Sequence, residues 1–302
     1  MDRLNRVYLL ITIAIIALAL TGLAIYHISR SSRIKIFVST TTSLYQTGLL
    51  EYLAMNFKRY YPDVDIVFLP IGSGEALERA SRGDTCIALV HAPSLEIKYL
   101  DNGALYRHTI FAYNYFIVIG PRGDPANVSR ASDAIDAFRR IYNATERGLT
   151  VFISRGDNSG TNAKEIQLWR MAGLNPFGRR WYKECGCGMV QALIQASEMD
   201  GYTLSDISTF LVLRYNGSIQ NLEILFHNDT QLINIYSAYL SSRCSGRELE
   251  YAEKFIEFIA GEEGQKFISS YDIERYGVPL FSSVAGREQQ LLDIWSQLAR
   301  EQ

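Results

Sequence analysis

Apolar and polar positions change character once, near residue 33. From Val7 to Tyr26 the chain is apolar without a charge, long enough as a helix to cross a hydrocarbon core of ~30 Å. Beyond it, short apolar runs alternate with stretches of helical spacing. Ile34–Val38 reads as a strand, and Leu49, Leu50, Leu53 and Phe57 recur on one helix face. Val64–Leu69 reads as a strand ended by Pro70, Gly72-Ser73-Gly74 as a turn, Glu75–Arg82 as a helix and Cys86–Val90 as a buried strand. A second set follows, with strands at Tyr113–Ile119, Thr150–Ile153, Phe210–Leu213, Leu222–Phe226 and Leu232–Leu240. Its helices fall at Ala131–Tyr142, from a polar turn through Trp169, and at Gly188–Met199; helices around 247–260, 262–270 and 287–300 close the chain.

This alternation is that of an α/β protein. No Pro- or Ser-rich linker divides the two sets, so two lobes joined by crossover strands are expected, with a ligand cleft between them. Residues 1–33 read as anchor and tether, 34–112 plus 238–302 as the first lobe, and 113–237 as the second. The length of 302 residues agrees with two units at ~150 residues each.

Composition removes several function classes. With 48% apolar and 21% charged residues the chain is not of a disordered type, and 30 Lys plus Arg against 32 Asp plus Glu leave no basic excess for nucleic acid. Four cysteines are too few for a disulfide scaffold; Cys185 and Cys187, one residue apart with no second ligand pair, do not have zinc spacing. No metal or cofactor is expected. Cys86, inside a strand, reads as a buried free thiol. For the others two readings stay open: Cys185 or Cys187 pairs with Cys244, or all are reduced. The apolar segment lacks a small-residue cleavage site and a lipid-accepting cysteine. It reads first as an uncleaved signal-anchor and second as a cleaved signal peptide. Asn-x-Ser/Thr triplets at Asn127, Asn143, Asn216 and Asn228 favour the outer face of the membrane.

Three segments share one design, in which a strand ends, a small hydroxyl-rich turn follows and a helix begins. They are Ser39-Thr40-Thr41-Thr42-Ser43, Gly72-Ser73-Gly74, and Ser154-Arg155-Gly156-Asp157-Asn158-Ser159-Gly160-Thr161. Each helix start offers unpaired N–H donors at the positive end of its dipole, and Ser and Thr add hydroxyl donors. Taken singly, each is an ordinary N-cap or turn. Converging on one cleft, they make a cage of donors for an oxyanion.

These segments, with Trp181-Tyr182, Gly188-Met189 and Gly261-Glu-Glu-Gly-Gln265, resemble the tungstate-binding component of Tup-type ABC importers across most of residues 34–282. The resemblance implies a type II periplasmic-binding-protein fold: two α/β lobes with central mixed sheets and two crossover strands, here preceded by one transmembrane helix. It implies a monomer outside the cell that hands an oxyanion to an ABC permease and, through it, to an ATPase. It assigns the anion to Thr41, Thr42, Ser43 and Ser73 on one lobe and Arg155, Ser159, Gly160 and Thr161 on the other, with Gly74 and the amides of Met189 and Val190 as further contacts. Where the family carries Thr and Gln before Gly188-Met189, this chain has Cys185 and Cys187, so no side chain of that turn is assigned.

Other readings compete. A phosphate carrier gains from a carboxylate that accepts the phosphate proton, whereas tungstate and molybdate need donors only. The first turn has no acid, which favours the donor-only anions, although Asp157 can turn inward. An exported hydrolase would use His91 with Cys187 or Ser159, but Gly-x-Ser-x-Gly is absent, and His91 reads as a hydrogen-bonded loop residue. A stand-alone sensor would need a signalling domain before the apolar segment, and few residues precede it.

Overall fold

In the computed structural model, which describes residues 11–22, 33–227, 229–277 and 279–300, the alternation builds a mixed sheet. Strand β1 (Ile34–Thr41) lies between β2 (Val64–Ile71) and β3 (Ile87–Val90), parallel to both. The long β4 (Leu105–Pro121) pairs antiparallel with β9 (Ile233–Ser241) as far as Tyr115, and β9 in turn pairs with β3. From Phe116 onward β4 changes partners, to β7 (Thr203–Asp206) and β8 (Leu222–Phe226). A short parallel pair, β5 (Phe152–Ser154) and β6 (Tyr182–Glu184), joins β7 through a Phe152–Tyr202 bridge. The fold is two-lobed α/β, and β4 and β9 are the strands that pass between the lobes.

Each lobe buries its own core. In the first, Ile36, Val38, Leu53 and Phe57 meet Phe255; in the second, Phe116, Val118, Phe138 and Phe152 surround Trp169. Burying one such side chain is worth ~1.5–3 kcal/mol. Side-chain caps set the helix starts. Asp133 accepts the Asp136 N–H at 2.7 Å to open Ala134–Glu146, and Ser159 accepts the Asn162 N–H at 3.2 Å to open Gly160–Met171. At the other end Gln265 donates to the carbonyls of Phe111 and Ile259 at 2.7 and 2.8 Å, tying the helix Glu262–Ser270 to β4.

Several elements depart from the sequence reading. Phe210–Leu213 lies inside a helix, Ile207–Tyr215, because Asp206 caps it through the Thr209 N–H at 2.9 Å. A four-residue apolar run does not distinguish a period of 2 from one of 3.6. The helix Pro93–Asp101 and the strands β6 and β7 have no clear periodicity, and β4 starts at Leu105 rather than Tyr113. Ser73 is the first residue of the helix Ser73–Arg82, with Gly72 as its N-cap, rather than part of a preceding turn. Of the apolar segment Val7–Tyr26, residues 11–22 are described and helical, and the rest lies outside the described residues. No helix among the described residues is long and apolar enough to cross a membrane. Asn127, Asn143 and Asn216 are exposed; Asn228 lies outside the described residues.

The cysteine reading is corrected on both counts. Cys86 is not free but bonded to Cys244, and Cys185 is bonded to Cys187. Cys86 precedes β3 and Cys244 follows β9, adjacent strands, which brings their Cα atoms to 5.1 Å. On the chain-entropy account a bond spanning 158 residues is worth about 5 kcal/mol, and one spanning 2 residues roughly 1.5 kcal/mol. Replacing Cys86 and Cys244 together by Ser is therefore expected to lower the unfolding free energy in denaturant melts by about 2–4 kcal/mol, the range usual for native bridges. A loss below about 0.5 kcal/mol would show that this bond does not constrain the unfolded chain.

Candidate anion-binding site

The three hydroxyl-rich segments span the junctions between β1, β2 and β5 and the helices that follow. Residues 39–41 close β1 and Thr42 opens a helix, Ser73 and Gly74 open the helix after β2, and Ser154 ends β5 six residues before the helix that starts at Gly160. In the first, Thr41 caps the helix Thr42–Gln46 by accepting the Leu44 N–H at 3.3 Å. Its hydroxyl lies 3.4 Å from that of Ser43; both residues are buried, and Thr42 is half-buried. The buried hydroxyl of Thr40 has no hydrogen-bond partner. In the second turn, the Ser73 hydroxyl accepts the backbone N–H of Gly160 at 3.0 Å, a bond that joins the second turn to the third across the lobes. A methyl group at Gly74 would lie 2.6 Å from the Asn158 amide, so the two turns are seated against one another.

The third turn carries the charge. Arg155 is 2% exposed, and its Nη2 donates to Asp157 Oδ2 at 2.5 Å. Asp157 Oδ1 accepts the Ser159 N–H at 3.2 Å, so this carboxylate is turned onto its own loop and not into the cleft. Arg155 Nε and Nη1 and the Thr161 hydroxyl are buried without a partner. Ser159 spends its hydroxyl oxygen on the helix cap and its N–H on Asp157, and the Gly160 N–H goes to Ser73, which leaves the Thr161 hydroxyl as the open donor of that helix start. Met189 is buried in the second lobe's apolar cluster with Val190 packed against it, so only their amides are offered. Their helix, Met189–Glu198, has Gly188 as N-cap with no side-chain bond and lies against the helix Thr42–Gln46 of the first lobe.

His91, at the end of β3, joins these parts. Its Nε2 is 3.4 Å from the Ser43 hydroxyl and its Nδ1 is 2.8 Å from Asn234 Oδ1. Asn234 Nδ2 donates onward to Asn114 Oδ1 at 2.8 Å, directly across the β4–β9 pair, and Asn114 donates to Ser208 at 2.7 Å. On the other side, a methyl group at Gly160 would sit 2.8 Å from the His91 carbonyl oxygen and 3.1 Å from its ring. Burial first, and the Arg155 guanidinium with it, hold the imidazole down at about 4 despite the Asn234 bond, so it is neutral at pH 7. Ser43, His91 and Asn234 stand in the order of nucleophile, base and orienting group. A base of pKa about 4 does not activate a hydroxyl, and neither Cys187 nor Ser159 is its partner.

Behind Arg155 lies an acid that the sequence reading passed over. Glu165 accepts from Ser154 Oγ at 2.7 Å, Tyr182 Oη at 2.6 Å and Trp169 Nε1 at 3.1 Å. Burial pushes its carboxyl up to about 7 against those bonds. Asp206, buried and bonded to Thr209, is likewise raised by burial. Nothing in the spacing of Glu165, Asp206, Asn114 or Asn234 marks them; only the fold gathers them.

Residues 29–263 match the family described as the PBP superfamily domain. A putative ABC transporter anion-binding protein of Haloferax volcanii is 38% identical over 238 residues, 78% of this chain and 68% of that one. The tungstate-binding protein TupA of Peptoclostridium acidaminophilum is 32% identical over 295 residues, 94% of this chain and 100% of its own. Among solved structures, that of the tungstate ABC transporter from Geobacter sulfurreducens is 35% identical with a TM-score of 0.69, covering 78% of this chain and 98% of that one.

Glu165 carries a pH signature. Its folded value, about 7, lies above the 4.5 of the unfolded chain, so folding favours the protonated form. That contribution is complete below pH 4.5 and is lost as pH rises through 7. Glu165→Gln keeps an acceptor for Tyr182 and Trp169 and a donor for Ser154. Its Tm relative to wild type should rise between pH 4.5 and 8; a constant difference would place the titration elsewhere.

Proposed function

The chain belongs to the PBP superfamily and, within it, to the family of the TupA tungstate-binding proteins, and from that membership we propose that it captures a tetrahedral oxyanion, tungstate first, between its lobes. It then serves as the extracytoplasmic substrate-binding protein of an ABC importer and delivers the anion to a permease driven by an ATPase. The observation that carries the reading is Arg155: a permanent cation, buried where the lobes meet, with two N–H directions unpaired. A dianion leaving water loses hydration that neutral donors repay only in part, and a charge-assisted hydrogen bond is roughly twice as strong as a neutral one. Thr161 adds an unpaired hydroxyl, and the starts of three helices add amides. Thr41, Thr42, Ser43, Ser73, Gly74, Arg155, Ser159, Gly160, Thr161, Met189 and Val190 form the anion cage of this reading.

Phosphate is less favoured. A proton on the ligand asks for an acceptor, and the nearby carboxyls are committed: Asp157 to Arg155 and Ser159, Asp206 to Thr209, and Glu165 to Ser154, Tyr182 and Trp169. The bound anion is cargo, and the role is non-catalytic and monomeric. In the same reading Val7–Tyr26 holds the protein at the outer face of the membrane. The lobes are 34–112 with 238–302, and 113–237, in keeping with the change of partner of β4 after Tyr115.

Calorimetric titration with tungstate, molybdate, phosphate and sulfate tests the function, with tungstate bound and phosphate and sulfate excluded. Tight phosphate binding with none for tungstate would overturn it. Arg155→Ala is expected to cost at least ~2 kcal/mol more affinity than Ser73→Ala. Arg155→Lys restores the charge without the fork of donors and recovers part of the loss. Wild-type affinity in the alanine variant would remove the site from this turn. Because the ligand touches both lobes it favours the closed state, and tungstate should lower the radius of gyration in solution scattering. Gly160→Ala, whose methyl collides with the His91 carbonyl, should not reach the wild-type closed radius at saturation. Full closure in that variant would mean the Gly160–His91 contact does not limit it.

A further inference from the structure

The Cys185–Cys187 bond closes a ring beside the main chain of the anion turn, where the β5–β6 ladder ends. β5 and β6 pair in parallel only as far as Ser154 and Glu184, and beyond that the strands have no ladder to hold them. The ring continues it. Cys185 N–H donates to the Ser154 carbonyl at 3.0 Å, and Cys187 N–H donates to the Arg155 carbonyl at 3.0 Å. Cys185 Sγ lies 3.6 Å from that same carbonyl oxygen. Gly186, at φ 60°, supplies the left-handed turn that aims both N–H groups the same way. The sulfurs rest against the apolar cluster of Ile153, Met189 and Leu193, so the ring is seated on the core. Gly156 fits against the same segment closely: a methyl group there would stand 3.0 Å from Glu184 Cβ.

A bridge across two residues constrains the unfolded chain little, in contrast to the Cys86–Cys244 bond. Its consequence is local. The ring holds both carbonyls of the Ser154–Arg155 dipeptide, and the residue after it, Gly188, caps the helix whose first amides face the opposite lobe. We propose that Cys185 and Cys187, as a disulfide, are positioning residues for the anion site, fixing the Arg155 main chain and the start of the helix Met189–Glu198 together. The bond sets ligand affinity rather than global stability, and it ties that affinity to an oxidising compartment. This rests on the reading that Arg155 grips the oxyanion.

The test uses sodium tungstate as probe, in calorimetric titration of the full chain. Cys185→Ser with Cys187→Ser should weaken binding about 10-fold while shifting the ligand-free Tm by only a few degrees. A phosphine reductant, with both bonds followed by alkylation and mass spectrometry, should weaken wild type equally once Cys185 and Cys187 are reduced and leave the serine pair unchanged. A Cys86→Ser, Cys244→Ser protein should show the reverse: a lower Tm, near-normal affinity and the same sensitivity to reductant. If the serine pair does not fold, the reductant titration of wild type makes the same comparison. Unchanged affinity after loss of the Cys185–Cys187 bond, with Arg155→Ala defective, overturns the inference and leaves the site standing. Unchanged affinity in both removes the site as well. Free thiols at Cys185 and Cys187 in air-oxidised protein would also overturn it.

Discussion

A guanidinium withdrawn from water is the constraint around which this molecule is arranged. Arg155 gives one N–H to Asp157 and keeps two directions unpaired in a place almost without solvent. An ion buried this way costs several kcal/mol unless partners surround it, and one neighbouring carboxylate does not fill five donors. The neighbours are those that suit an anion: hydroxyls, helix starts and a neutral imidazole. Asp157 orients the fork and returns its other oxygen to the Ser159 amide, which keeps the only acid of that turn out of the cleft.

The crossing strands impose the second requirement. Two lobes closing on a small ion need a hinge that brings their turns together in one register, because an error of an ångström loses the hydrogen bonds. Asn114 and Asn234 face each other across β4 and β9, bonded to one another and through them to His91 and Ser208. A buried polar network of this kind specifies one arrangement, since a shifted register would leave amides unpaired in the interior. His91 then connects the hinge to both sides of the cleft, reaching Ser43 with one nitrogen and packing against Gly160 with its carbonyl and ring. Its neutrality at pH 7 follows from burial and from Arg155, and it leaves the guanidinium without a like charge beside it.

The α/β class, the two lobes, the order of most strands and helices and the three turns were all legible along the chain. Each rests on local physics: alternation of apolar runs, Gly and Pro as breaks, hydroxyls before helices. Phe210–Leu213 was misread because its length carries no period, and the local signal beside it, Asp206 capping the Thr209 N–H three residues on, was passed over. Both cysteine pairings were missed for another reason. Cys86 and Cys244 are distant in sequence and adjacent only because β3 and β9 are neighbours in the sheet. Cys185 and Cys187 stand one residue apart, yet only a turn at Gly186 lets so small a ring close.

By itself the sequence determined which residue types stand at the ends of strands, and with them that the chain offers donors and one fixed cation to an anion. It did so because capping, turn formation and charge are properties of a few consecutive residues. The tertiary structure decided how those donors are used. Asp157 faces its own loop, Ser159 is consumed as a cap, Ser73 binds the opposite lobe, and Glu165, His91 and the two asparagines brace the whole from behind. The bond of Ser73 to Gly160 and the bracing by His91 and the two asparagines depend on which strands pair and how two lobes meet. A hydrogen bond between residues far apart in sequence has no signature in either one until the chain folds.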